Sequence, residues 1–113
     1  MIAKLLIDYL SEQLEVFVGM EAPKQTTGYV LIDQTGSNTR NHITTATIAI
    51  QSYGATLYEA MLLNEAVKAA MDGFVELDEV ASAKLETDYN FTNTATKQYR
   101  WQAVYQITHY GGN

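Results

Sequence analysis

The run KQYRWQAVYQITHY, residues 97–110, alternates over its whole length. Tyr99, Trp101, Ala103, Tyr105 and Ile107 fall on one side; Gln98, Arg100, Gln102, Val104, Gln106 and Thr108 fall on the other. Successive side chains of a strand point to opposite faces, so this run predicts a strand with one covered face and one wet face. A sheet wet on one side is commonly antiparallel. The rest of the chain supplies partners and a cover. Residues 81–91 alternate in the same way, with Ala81, Ala83, Leu85, Thr87, Tyr89 and Phe91 on one side, and TNTAT at 92–96 supplies the turn. Tyr29–Gln34 and the β-branched run Ile43–Tyr53 read as two more strands, and Leu14–Met20 as a short fifth.

Between these lie loops and helices. The segment 21–28 holds the only proline, Pro23, and 35–42 (TGSNTRNH) is dense in turn formers, so both are expected as loops. Ile2, Leu5, Leu6, Tyr9, Leu10 and Gln13 recur at helical spacing and predict an N-terminal helix. A long central helix is expected from just after Gly54 to Gly73, followed by the acidic link FVELDEV. Strands joined by short turns, with helices segregated from them, give an α+β domain: a mostly antiparallel sheet of four or five strands packed by two helices. Residues 1–113 make one domain, with Gly111, Gly112 and Asn113 expected as a flexible tail.

A domain of this size buries a modest share of its surface. Having no cysteine, the chain has neither disulfides nor thiolate metal sites to staple it, which leaves association with other subunits as the route to further burial. The net charge of −6, with seven Lys/Arg scattered singly, argues against a grip on phosphate backbones and would let DNA pass without sticking. The N-terminal run is interrupted by Asp8 and no cleavage site follows it, so no targeting segment or membrane partner is expected.

The central helix raises one chemical question. On a wheel, Asn64, Glu65, Lys68 and Asp72 share about a third of the circumference, which marks the wet side. Ala60, Leu62, Leu63, Ala66, Val67, Ala69 and Ala70 fill the opposite side, and Glu59 points into it. Thr56-Leu57-Tyr58-Glu59, however, matches the S/T-x-x-E capping box, so Thr56 and Glu59 are expected to cap the helix. A catalytic carboxylate would need a base, nucleophile or metal ligand beside it, and none is in reach of the pattern. Leu57 and Met61 project on the wet arc, with Tyr58 at its edge; together they form a candidate subunit interface.

Other constellations carry little chemistry. His42 and His109 lack the spacing partners of a metal site, and Glu76, Asp78 and Glu79 lack the rhythm of a calcium loop. Tyr99, Trp101 and Tyr105 could stack bases, but the acidic balance favours packing under the helices. No enzyme, cofactor or metal is therefore expected.

The block ITTATIAIQSYGATLYEAMLLNEAVKAAMDGF, followed by SAKLETDYNFTNTATKQYRWQAVYQITHY, resembles the small head–tail joining proteins of long-tailed bacteriophages. The likeness is to tail terminators and tail-completion proteins in phages and prophages of Gram-positive bacteria, and IQSYGATLYEA and YRWQAVYQI carry most of it. The resemblance implies an α+β domain that assembles as a ring, commonly a hexamer, on the head-proximal end of the tail tube. Such a ring stops tube polymerisation and docks on the head connector. It implies a virion protein of the tail or neck, assembled in the host cytoplasm, with itself, the tube protein and connector proteins as partners. A ring needs two different patches per subunit. Leu57, Tyr58 and Met61 would supply one; the polar loop with Ser37, Asn38, Arg40 and His42 would line the lumen or meet the connector. Six copies of a −6 chain would form an acidic collar of −36 around passing DNA. The alternatives are a head-closure or minor tail component, or a small α+β ligand-binding or inhibitory module of a mobile element.

Overall fold

The computed structural model describes residues 2–24 and 26–110. The order along the chain is α1 (Ile2–Leu14), β1 (Phe17–Gly19), β2 (Tyr29–Arg40), β3 (Ile43–Gly54), α2 (Leu57–Met71), a 3-10 turn at Phe74–Glu76, β4 (Val80–Asn90) and β5 (Tyr99–Tyr110). One five-stranded sheet forms in the order β1-β2-β3-β5-β4, antiparallel except where β1 joins β2 in parallel. This is the α+β architecture expected from the sequence. The expected tail at 111–113 lies outside the described residues.

Both helices lie on one face of the sheet. The alternation of β5 places Ala103, Tyr105 and Ile107 beneath them, opposite Ile50, Ile48 and Ala46 of β3. Leu6 and Leu10 of α1, Val67 of α2 and Phe74 close this layer, all without exposed surface. Tyr9 ties the helices together: its hydroxyl donates to Ala70 O at 2.6 Å and its ring meets Phe74 at 5.2 Å.

Among the described residues no helix covers the opposite face, and cross-strand polar pairs fill it. Thr45 and Thr108 share a hydroxyl bond at 3.2 Å, Gln106 donates to Thr47 Oγ1 at 2.9 Å, and Gln51 donates to Gln102 Oε1 at 2.8 Å. Gln102 in turn donates to the Tyr89 hydroxyl at 2.5 Å. Such pairs each add a few tenths to about 1 kcal/mol on a wet sheet face.

Three expectations need correction. Residues 35–40 are strand and not loop: after a bulge at Thr35, β2 stays paired with β3 out to Arg40↔Ile43. Asn41 and His42 alone make the turn, at φ 52° and 64°, the left-handed pair of a type I′ hairpin. Residues 14–20 are mostly not strand, because Leu14 ends α1, Glu15 adopts φ 54° and only Phe17–Gly19 pairs. In β4, register shifts at Ala81 and Glu86 break the alternation. The second shift sends Thr87 and Tyr89 to the open face, opposite Val104 and Gln102, and turns Asp88 toward the helices, opposite Ala103.

Gly54 sits where β3 meets α2, and a Cβ there would lie 2.5 Å from the backbone nitrogen of Ala60. The obstacle is main chain and cannot rotate away. Gly54→Ala should lower stability by about 1–3 kcal/mol in a urea titration, the usual cost of overpacking; an unchanged midpoint would show that the junction is looser than described.

Candidate assembly surface

Helix α2 starts as the capping pattern requires. Thr56, in extended conformation, accepts the Glu59 N–H on its Oγ1 at 3.1 Å. Among the described residues the reciprocal bond from the Glu59 carboxylate is not formed; Glu59 is exposed at the first turn, where it meets the positive end of the helix dipole.

The helix is rotated from the orientation that its hydrophobic pattern predicts. Its buried residues are Ala60, Asn64, Val67 and Met71, whereas Leu62, Ala66 and Ala69, expected inside, are exposed. A polar clasp to β4 sets this rotation. Asn64 Nδ2 donates to Asp88 Oδ2 at 3.1 Å, and Lys68 Nζ lies 2.6 Å from the same oxygen and 2.6 Å from Glu65 Oε2. The residues read as a wet face thus form the flank of α2 turned toward β4. Charge-assisted bonds to Lys68 first, and the Asn64 amide after it, hold the Asp88 carboxyl below its ordinary range against the opposing effect of burial. Asp88 first, then Glu65, raise the pKa of Lys68. Beside the clasp an open hollow of about 410 Å³ separates α2 from β4, lined by Ala83, Leu85 and Tyr105 among others. Burial pushes the Tyr105 hydroxyl up to about 12.

This rotation leaves apolar surface outside. Leu57 is 38%, Tyr58 64%, Met61 36% and Leu62 48% exposed. The first three are the residues singled out from the sequence. Leu62 is the addition, because the hydrophobic pattern of the helix places it in the core. Met61 lies two turns before Lys68, a spacing of seven that returns to the same side of a helix, so the patch flanks the β4 edge of the molecule.

Ser37, Asn38, Arg40 and His42 all lie exposed on the β2–β3 hairpin. Asn38 and Arg40 face the open side of the sheet and, with Asn41, Ile43 and Thr45, border a shallow hollow. His42 occupies the turn itself. The hairpin tip and the α2 patch stand at opposite ends of β3, roughly 36 Å apart along twelve residues of strand. They are two separate surfaces.

Of the aromatic row, Tyr105 is buried beneath the helices while Tyr99 and Trp101 are half-buried. A second row leaves no trace in the sequence because its members come from five segments. Phe17, Tyr29, Tyr53, Arg100 and Phe91 succeed one another across the open face. Tyr29 and Tyr53 stack at 4.5 Å, and the Arg100 guanidinium sits 4.4 Å from the Phe91 ring centre. Next to this row lies an open cleft of about 570 Å³, lined by Thr26, Asn93, Lys97 and the two stacked tyrosines among others. His109 is buried, and burial lowers its pKa. Among the described residues no three His, Cys, Asp or Glu side chains converge as a metal site would require, and no helix is long and apolar enough to cross a membrane.

Two outcomes follow for α2. Met61→Glu should fold with stability within about 0.5 kcal/mol of the parent, as exposed substitutions do, yet associate more weakly; light scattering giving one mass for both proteins would remove the interface role. For the clasp, a depressed folded-state pKa contributes stability above the unfolded value of about 3.9 that is lost as pH falls through the folded value. Asp88→Asn should therefore lower stability near neutrality by about 1–3 kcal/mol, with the deficit shrinking below about pH 4. A pH-independent deficit in denaturant titrations would contradict the assignment. Compared with known protein families and with curated proteins, the chain matches none.

Proposed function

We propose that the chain is a structural morphogenesis protein of a long-tailed phage or prophage. It forms a ring at the head-proximal end of the tail tube, ends tube growth and joins tail to head. The observation that carries this reading is the apolar patch Leu57, Tyr58, Met61 and Leu62 on a helix whose other side already covers the sheet. A patch of this kind on a small domain without disulfides is supported by a neighbour that hides it. Its separation from the hairpin tip fits a subunit that must meet more than one neighbour, since cyclic assemblies use two unlike surfaces. The acidic balance of −6 per chain suits a collar through which DNA passes. In this reading the work is done by surfaces, and no residue is given a catalytic role. The chain acts in the neck of the virion after assembly in the host cytoplasm.

A second reading rests on a different observation. The open cleft beside Tyr29 and Tyr53 has the size of a small-ligand site, which favours a binding or inhibitory module.

Deleting the gene from the phage or prophage that encodes it separates the two. A ring at the tube end predicts unjoined heads and tails in electron micrographs, with tails of abnormal length. Normal, joined particles would overturn the assembly reading.

A further inference from the structure

Among the described residues the sheet ends in two edges without a further strand, β2 beyond Leu31 carrying Asp33 and Arg40, and β4 carrying Lys84, Glu86 and Asp88. On one side β1 covers β2 only from Tyr29 to Leu31, so among the described residues the outer edge of β2 from Ile32 to Arg40 has no strand beside it. On the other side β4 is the outermost strand over its whole length, Val80–Asn90. Residues 34–58, which include the β2–β3 hairpin, contain no acid and carry Arg40 and His42. Residues 65–88, which lead into and form β4, contain seven acids against two lysines. Free edges invite another strand, and bulges are a common device for limiting that pairing. Here the bulges at Thr35, Ala81 and Glu86 cut the edges into short regular windows; beside Thr87–Asn90 on β4, the two that stand level with each other are Gly36–Arg40 and Ser82–Leu85.

We propose that these two windows pair with each other between copies, so that the β2 edge of one subunit docks antiparallel on the β4 edge of the next. This inference rests on the ring reading and names the contact that would build it. Strand directions support it: β2 and β4 run oppositely within one sheet, so turning a copy about an axis along the strands sets β4 beside the next β2 in antiparallel sense. The register supports it too. Asn38 pairs with Thr45, Thr45 with Thr108, and Thr108 with Ser82, which puts Asn38 and Ser82 at one height on opposite edges. Arg40 leads through Ile43 to Tyr110, whose N–H donates to Glu79 O at 3.0 Å, so Arg40 stands level with Glu79. Among the described residues neither Arg40 nor Glu79 has an ion-pair partner within its own chain. Apolar side chains are exposed on both edges as well, Phe17 and Met20 beside β2, and Leu85, Tyr89 and Phe91 on or next to β4. The contact is heterologous, as ring closure demands.

The absence of cysteine makes the test clean. Paired strands bring opposite Cα atoms within disulfide reach. Asn38→Cys mixed with Ser82→Cys under oxidation should give a cross-linked heterodimer, while neither variant cross-links alone. The doubly substituted chain should give a ladder of covalent multimers. Arg40→Glu and Glu79→Lys should each weaken self-association about tenfold in sedimentation velocity, and the two together should restore it. Parent protein that assembles while the cysteine pair stays unlinked and the charge variants assemble normally would overturn the edge pairing and leave the ring reading standing. Parent protein that remains monomeric at every concentration, alone and with tail tubes, would overturn both.

Discussion

Two helices cannot cover both faces of a five-stranded sheet, and most features of this molecule answer to that shortage. The covered face takes the large aliphatics of β3 and β5 and the stripes of α1 and α2. The other face must remain acceptable to water, which is why threonine and glutamine pair across β3 and β5 where a sandwich would carry valine and isoleucine. The same shortage leaves the hairpin of β2 and β3 and the outer strand β4 without lateral cover. Polar side chains and interrupted register keep those regions in solution, and they also give them an identity that a partner can read.

What was legible in the sequence follows the same division. Wherever one side of an element is dry and the other wet, the pattern declared it: β5 and α1 stand as their periodicity demands, because burial imposes a period. The hairpin beyond Gln34 reads as loop because both of its sides are wet, so Thr, Gly, Ser and Asn carry no period there and look like turn formers. In β4 the period exists but is reset twice by an extra residue, and nothing in the local composition announces a bulge. Helix α2 failed for a third reason. Its hydrophobic residues exceed what the sheet can receive, so apolar content could not say which side faces inward. The decision was made by Asn64 and Lys68 reaching an aspartate twenty or more residues later, a pairing visible only after folding. That is also why Leu62 joined the exposed patch unforeseen.

The patch and the clasp are therefore two sides of one event. By turning Asn64 inward, the bond to Asp88 rolls Leu57, Met61 and Leu62 outward. A buried polar group held by a charged partner fixes orientation more sharply than hydrophobic contact alone, because sliding by one residue would lose the bond from the Asn64 amide nitrogen to Asp88, and the amide oxygen already lacks a partner among the described residues. Assembly surface is obtained here as the geometric complement of a polar lock in the interior.

One small feature governs this arrangement. The extra residue at Glu86 sets the phase of everything after it in β4, so that Asp88 meets the helix and Tyr89 meets the glutamine ladder. What position 86 contributes is a place in the count more than a side chain. Its carboxylate is exposed and replaceable, yet a strand that kept the residue and lost the bulge, with Glu86 itself facing Val104, would exchange the two destinations, pointing a tyrosine at the lysine clasp and an aspartate at open water. In this strand a one-residue slip would rewrite more than any single substitution could.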